Sequence, residues 1–307
     1  MREVLVMAER TAKLYLKNPL ALLFSFVYLL LFVFLFALFL GDYMANAMAG
    51  IYAEVQGVNI ERFRWLVDAT SMSGTLMIGC ILAPLNVLSV MVEDKSGNRF
   101  DSFLVSAVSR SKLVMGYWLA PFLIATLLNA ISLFVIQGFI VASGGEWLSA
   151  KDALQLIGLI ASSVFSSTSV FFIVAMLMKN ASTYSTVMGI LSAVVGLVTG
   201  AFLPVGSFPE GLQKAFAFLP AHHGAALMRE VMAREPMKAV FGNVGDQIVK
   251  GSFMTGNEIR DIYAAENGII YMFGQTRVPS PLMLAALLGS GALCLAIGVL
   301  WMKRYVK

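Results

Sequence analysis

Charge is scarce in this chain, and the scarcity is uneven. Only 13% of the 307 residues are charged, about half the roughly 25% of a typical soluble domain. Six stretches contain no Asp, Glu, Lys or Arg: residues 20–40, 69–92, 113–143, 153–178, 181–203 and 279–302. At about 1.5 Å rise per residue, each covers a hydrocarbon layer of roughly 30 Å as a helix. A soluble helical core would need amphipathic helices rather than helices apolar all round. Cysteine is also rare. Cys80 and Cys294 both fall inside apolar stretches, so no disulfide framework outside the membrane is indicated. Histidine is limited to the adjacent His222 and His223. Neighbouring residues on one helix or strand do not aim at one point, which argues against a metal site. The sequence has no phosphate-binding Gly-rich loop ending in Lys-Ser or Lys-Thr and no H-E-x-x-H, which excludes a nucleotide-hydrolysing or zinc-peptidase chain. With no carboxylate inside an apolar stretch, ion-coupled transport lacks its usual proton or sodium relay. No catalytic residue, metal or cofactor is assigned to this chain.

The residues present predict an all-α integral membrane protein with six transmembrane helices. The first stretch is too long for a signal peptide, and no small-residue cleavage site follows it. With the N-terminus inside, the inner segments hold twelve basic residues, among them Arg2, Arg10, Lys13, Lys17, Lys95 and Lys179, against five acidic ones. Both termini are therefore expected in the cytosol, in the cell (plasma or inner) membrane. The net charge of +4 reads as membrane topology, not as nucleic-acid binding. Residues 1–19 form an N-terminal interfacial amphipathic helix. Val4, Met7, Ala8, Thr11, Leu14 and Tyr15 share one face and lie on lipid; Asn18-Pro19 then starts the first span at a new angle.

The connections differ in length. Residues 41–68 read as an outer loop and 93–112 as the sizeable inner one. The turns at 144–152 and 179–180 are tight, so spans three, four and five are expected to be neighbours. Residues 204–278 form a long outer segment, and no internal repeat or separate soluble domain is evident. Ser166 to Ser169 in span four, Gly196 and Gly200 in span five, and Gly289, Gly291 and Gly298 in span six suit close helix packing. The span-four hydroxyls could instead line a polar conduit. Asn86, Asn129 and Gln137 are the amides within the spans, each a helix tether or a substrate ligand.

In the inner loop, Gly97-Asn98 signals a turn and Asn98 with Asp101 resembles a capping box. Phe100, Phe103, Leu104 and Ala107 follow at helical spacing, giving a short amphipathic helix that either rests on lipid or enters a groove on a partner. Here the chain resembles a family. The Glu93-Asp94 pair, the Gly97 turn, this helix and Val105-Ser106-Ala107-Val108-Ser109-Arg110 before span three are similar to the permease subunits of type-2 ATP-binding-cassette (ABC-2 type) exporters. So is Gly200-Ala201-Phe202-Leu203-Pro204 with Pro209, Leu219-Pro220 and Leu227-Met228-Arg229. Two features depart from the pattern. Ala107 stands where the family often has Pro, and the usual Lys near Tyr117 is absent. Residues 234–278 also exceed the plain layout, and their apolar residues suit an added element at the outer mouth.

The resemblance implies a single permease domain over residues 1–307 with a cytosolic coupling helix and short extracytoplasmic re-entrant helices. It implies a dimer with a second permease copy or homologue, and cytosolic ATPase subunits that carry the ATP and Mg. Glu93, Gly97, Phe100, Phe103, Leu104 and Arg110 would couple to the ATPase. Asn86, Thr199, Gly200, Pro204, Pro209 and Pro220 would line the substrate path and exit. The expected cargo is an amphipathic small molecule, peptide or lipid. A lipid-linked polysaccharide is the rival cargo, and a non-transporting anchor or sensor with a ligand-binding outer segment is the rival class.

Overall fold

A computed structural model describes residues 2–104, 109–244, 254–273 and 276–305. Helix α1 (Arg2–Leu16) leads in. Asn18 then caps the next helix, its Oδ1 accepting from Ala21 N at 3.1 Å, and Pro19 occupies the first helical position, where its missing N–H costs nothing. The first span is longer than its charge-free stretch. Helix α2 (Pro19–Leu35), a π-helical turn over Phe36–Leu40 and α3 (Gly41–Tyr52) run on without a break. The expected outer loop is thus mostly helix. Gly41 does not end the helix because its bare Cα makes room for Arg64, whose guanidinium lies 2.5 Å from where a Cβ would be. Arg64 pairs with Asp42 and, at 2.8 Å, with Asp68, and donates to the Phe36 carbonyl at 3.2 Å beside the π turn. The polar residues that read as a loop signal are spent on each other.

Helix α4 (Phe63–Ser96) is the axis of the bundle, buried on nearly every face. Its hydroxyls are satisfied within the helix. Thr70 Oγ1 donates to Leu66 O at 2.9 Å and Ser73 Oγ to Thr70 O at 2.6 Å, as lipid burial demands. Around it stand α6 (Arg110–Ala142), α7 (Ala150–Leu177), α8 (Ala181–Val198) and α13 (Ser280–Tyr305). With the first span these make six helices long and apolar enough to cross a membrane. A short helix, α5 (Arg99–Leu104), lies at the end of α4. At the opposite end come α9 (Glu210–Ala217), α10 (Pro220–Met232), α11 (Arg234–Phe241) and α12 (Gly256–Glu266). The two-residue strands β1 (Met272–Phe273) and β2 (Thr276–Arg277) pair antiparallel before α13.

Small residues set the close contacts. A Cβ on Gly291 of α13 would lie 2.9 Å from Ser166 Cα of α7, and the Ser166 and Ser290 hydroxyls meet at 3.3 Å. Trp118 Nε1 donates to Ser169 Oγ at 3.1 Å. Ser166 and Ser169 of span four therefore serve packing. The amides bond locally: Asn129 Nδ2 donates to Ala125 O of its own helix at 2.8 Å, and Gln137 Oε1 accepts from Leu148 N at 3.3 Å, tying α6 to the turn before α7. Of spans three, four and five, only α6 and α7 pack side by side; α8 stands away from both. Helices α7 and α8 share the Lys179–Asn180 turn yet scarcely touch beyond it, each leaning on α4 instead.

Helix α1 also differs from expectation. Its face of Met7, Ala8, Thr11 and Tyr15 is buried against protein, chiefly α6, rather than lipid. Leu5, Val6, Leu14 and Leu16 are the apolar residues left exposed. Gly116 sets this contact, since a Cβ there would sit 2.6 Å from Met7 Cβ and 3.2 Å from Val4 O. Gly116→Val should force α1 outward at a cost of about 1–3 kcal/mol. The check is detergent thermal stability together with protease cleavage between α1 and α2, both of which stay unchanged if α1 is only loosely attached.

A second cluster forms where α3 and the start of α4 meet α11 and α12. Tyr52, Phe63, Phe241 and Tyr263 pack ring on ring, with centroids 5.4–6.1 Å apart. Thr255 and Glu258 form a capping box that starts α12. The described part of residues 234–278 is therefore a packed element anchored on the long first and second spans.

Candidate functional site

Two polar clusters interrupt the apolar bundle, one at each end of α4. The first is centred on Asp94, two residues after the last charge-free residue of the second span and 1% exposed. Arg10 of α1 grips it through both nitrogens, Nη1 to Oδ2 at 2.6 Å and Nη2 to Oδ1 at 3.1 Å. Tyr117 of α6 donates its hydroxyl to Oδ2 at 2.7 Å, and Arg99 Nε stands 3.6 Å from Oδ1. A bidentate, charge-assisted pair of this kind is stronger and more directional than a neutral hydrogen bond. The Asp94 bond in turn holds the Arg10 guanidinium above its ordinary pKa. Lys95, the next residue, donates to the Met176 carbonyl at 2.6 Å and the Ala175 carbonyl at 3.3 Å. It thereby satisfies the C-terminal carbonyls of α7 with a cation where the helix dipole favours one. Lys112 pairs with Glu3, joining α1 to α6 a second time.

The amphipathic helix α5 sits on this cluster. Gly97 follows α4, and Asn98 takes the left-handed conformation (φ 56°) that turns the chain into α5, a conformation Asn tolerates better than most residues. Phe100 is 6% exposed and faces the Tyr117 ring at 5.9 Å between centroids. Arg10 lies 5.0 Å above the Phe103 ring. The aromatic face expected to enter a partner's groove thus points into its own chain, because Tyr117 and Arg10 offer it an aromatic and a cationic surface. Glu93 is exposed and Arg110 half-buried in the first turn of α6. The Leu104 side chain and residues 105–108, including Ala107, lie outside the described residues. Reading from sequence selected Glu93 and passed over its neighbour Asp94. A 34-residue helix turns its faces by 100° per residue, and only the packing shows that Asp94 points inward. Arg10 and Tyr117 were legible only as an interfacial cation and an apolar-span residue.

The second cluster lies at the other end and belongs to Arg229 of α10, the largest fully buried side chain. Its Nη2 donates to Thr199 O at 2.7 Å and Gly200 O at 3.4 Å, Nε to Thr70 O at 3.3 Å, and Nη1 to Gly268 O at 3.4 Å. Gly200 (φ 66°) and Gly268 (φ 65°) are left-handed residues just past the ends of α8 and α12. Two helix C-termini, with their unpaired carbonyls and negative dipole ends, converge on one cation. Among the described residues Arg229 meets no carboxylate. Burial lowers its pKa to about 10, which leaves it charged at neutral pH.

Thr199, Gly200 and Pro204 of the expected exit gather around this arginine. The space beside it, lined by Thr70, Ser71, Gly200, Pro204 and Asn267, is about 10 Å³, room for roughly one water. The mouth of the single chain is closed there. Asn86, Pro209 and Pro220 do not join the cluster. Asn86 Nδ2 reaches Ser25 Oγ at 3.5 Å and ties α4 to α2. Pro209 precedes the exposed α9, and Pro220 opens α10 along a separate cleft. Arg229, which ends the Leu227-Met228-Arg229 motif, was given no site role from sequence. A single Arg within Gly224–Met232, otherwise apolar but for Glu230, was the available signal.

His222 and His223 begin the same helix. His222 donates Nδ1–H to Val198 O at 3.1 Å, and the His222 and His223 rings lie 5.0 and 5.6 Å from Tyr271. Burial lowers the His222 pKa to about 4, so it is neutral at pH 7. Among the described residues no three His, Cys, Asp or Glu side chains gather as metal ligands would.

A family model described as "ABC-2 family transporter protein" matches residues 66–302, from the first turns of α4 into the last turns of α13. No curated protein matches the chain.

Proposed function

Since the chain belongs to the ABC-2 transporter family, a family of multi-pass membrane components that act in ATP-binding-cassette transport with an ATPase subunit, we propose that it is the permease of an exporter. It takes an amphipathic small molecule, peptide or lipid outward, works with a second permease copy, and is driven by a separate ATPase that binds ATP and Mg. The α1 end faces the cytosol and the Arg229 end faces out. The observation that carries this reading is the Asp94 cluster. Force applied to α5 reaches Asp94 and Tyr117 through Phe100, and Arg10 through Phe103. Asp94 sits in the last turns of α4, the helix that contacts α2, α3, α6, α7, α8 and α10. A push on α5 is thus delivered to the axis of the bundle, whose far end meets Arg229 through Thr70.

Changing both Phe103 and Leu104 to Asp tests the assignment. Co-purification with the ATPase and ATP-dependent export by vesicles should both be lost. If both survive, α5 is not where the drive enters.

A further inference from the structure

At the Asp94 end, α4 is bonded to the hairpin of α7 and α8, and the bonds fall on one side of a proline. Tyr184, in the first turn of α8 and 2% exposed, donates its hydroxyl to Leu85 O at 2.7 Å. Lys95 Nζ donates to the Met176 carbonyl at 2.6 Å at the end of α7. Ser96 Oγ reaches Lys179 O in the turn that follows, at 3.4 Å. Asn180 of that turn then caps α8, its Oδ1 accepting from Thr183 N at 2.8 Å. Leu85, Lys95 and Ser96 all lie with Asp94 beyond Pro84 of α4. Pro84 has no N–H for the carbonyl one turn back, and its ring crowds that carbonyl, so α4 bends more readily there. Thr70, through which α4 meets Arg229, stands on the far side of that weak point.

Helix α8 reaches the same arginine with no proline in its length. Its end also supplies the shorter bond. Arg229 Nη2 donates to Thr199 O at 2.7 Å, against 3.3 Å from Nε to Thr70 O, and His222 Nδ1 donates to Val198 O at 3.1 Å. The 18 residues of α8 span about 27 Å at ~1.5 Å each, so one helix runs from the Asp94 end to the Arg229 end. Beyond its turn α8 scarcely touches α7, which therefore does not hold it back. We infer that α8 is the rod that carries the movement of α4 to the mouth. Tyr184 and Lys95 are positioning residues at its driven end, and the Thr199 carbonyl acts on Arg229 at the other. This rests on the reading that the drive enters at α5, and adds the route by which the drive reaches the exit. When the Asp94 end of α4 shifts, α8 goes with it and draws Thr199 O off the guanidinium.

The test follows two distances by pulsed electron paramagnetic resonance in the full-length permease with its ATPase. One copy per assembly is spin-labelled, in a Cys80→Ala, Cys294→Ala background. Labels on Ser102 of α5 and Leu300 of α13 report the arrival of the drive. Labels on Leu203, just past α8, and Ile262 of α12 report the mouth; all four positions are exposed. In the parent, trapping with ADP and vanadate should shift both distances relative to the nucleotide-free state. Tyr184→Phe keeps the ring and loses only its bond, and Lys95→Met loses the hold on α7. Each should retain the Ser102–Leu300 shift and lose most of the Leu203–Ile262 shift. Ser169→Ala, which removes the Trp118 bond, should lose neither. A mouth shift in Tyr184→Phe equal to the parent's, with monodisperse elution confirming the fold, overturns the inference. So does a parent in which α5 moves and the mouth does not. If the α5 distance itself stays fixed in the parent, the coupling reading falls and takes the inference with it.

Discussion

Asp94→Asn is expected to uncouple transport while leaving the ATPase bound. Asparagine keeps the size of the side chain and one acceptor for the Tyr117 hydroxyl, but it cannot hold the Arg10 guanidinium as a charged bidentate partner. Removing one member of a buried pair costs about 3–5 kcal/mol because the other charge is left uncompensated. Arg10 is 28% exposed, so solvent recovers part of that and the low end, about 3 kcal/mol, applies. ATP-dependent export should fall by about tenfold or more, since 1.4 kcal/mol is already a factor of ten, and thermal stability should drop with it. Combining Asp94→Asn with Arg10→Leu should recover stability relative to Asp94→Asn alone, because the stranded cation is gone. Glu93→Gln, one residue away and exposed, should leave thermal stability unchanged. Wild-type export and stability in Asp94→Asn would mean that the pair does not brace α4.

Arg229→Met should do the largest damage to the opposite end. Methionine fills much of the volume but leaves the carbonyls of Thr199, Gly200 and Gly268 without this donor, while Thr70 O keeps its bond from Ser73 Oγ. A buried group deprived of its partner costs about 1–3 kcal/mol. Against the three losses stands the relief of no longer burying a cation, so a net loss of about 3 kcal/mol is expected. Arg229→Lys keeps the charge but not the planar fork that spans separate acceptors, and should fall between parent and Met. The check is detergent melting together with protease cleavage around α11 and α12, which the Gly268 contact ties to the bundle. Equal stability in all three proteins would show that the arginine does not hold the mouth shut.

The all-α character and the six crossings were legible because a charge-free stretch of twenty residues carries its meaning locally: lipid rejects charge wherever the helix packs. The Asn18-Pro19 break was legible for the same reason, as both residues act on their own backbone. The ends of the helices were less so. Gly41 and Asp42 look like the start of a loop, yet Arg64, more than twenty residues on, turns them into the middle of a helix. The short turn at Lys179–Asn180 suggested that α7 and α8 pack together. A turn fixes proximity at one end only, and α4 decides what each helix leans on above it.

The candidate sites divide along the same line. Thr199, Gly200 and Pro204 were singled out by resemblance, in a stretch where glycine and proline mark backbone that must turn. Phe100 and Phe103 were found by helical spacing, although spacing does not say whether such a face meets a partner, lipid or its own chain. Asp94, Tyr117 and Arg229 were given no site role, although Asp94 and Arg229 stand in the motifs, since each depends on a partner from a distant segment. The sequence by itself determined that the chain lies in a membrane and how often it crosses, because hydrophobic length is a property of neighbouring residues. Only the tertiary structure decided which charges are buried and what they hold. A buried ion survives only if groups far along the chain arrive to pair with it, as Arg10 does for Asp94 and two helix ends do for Arg229.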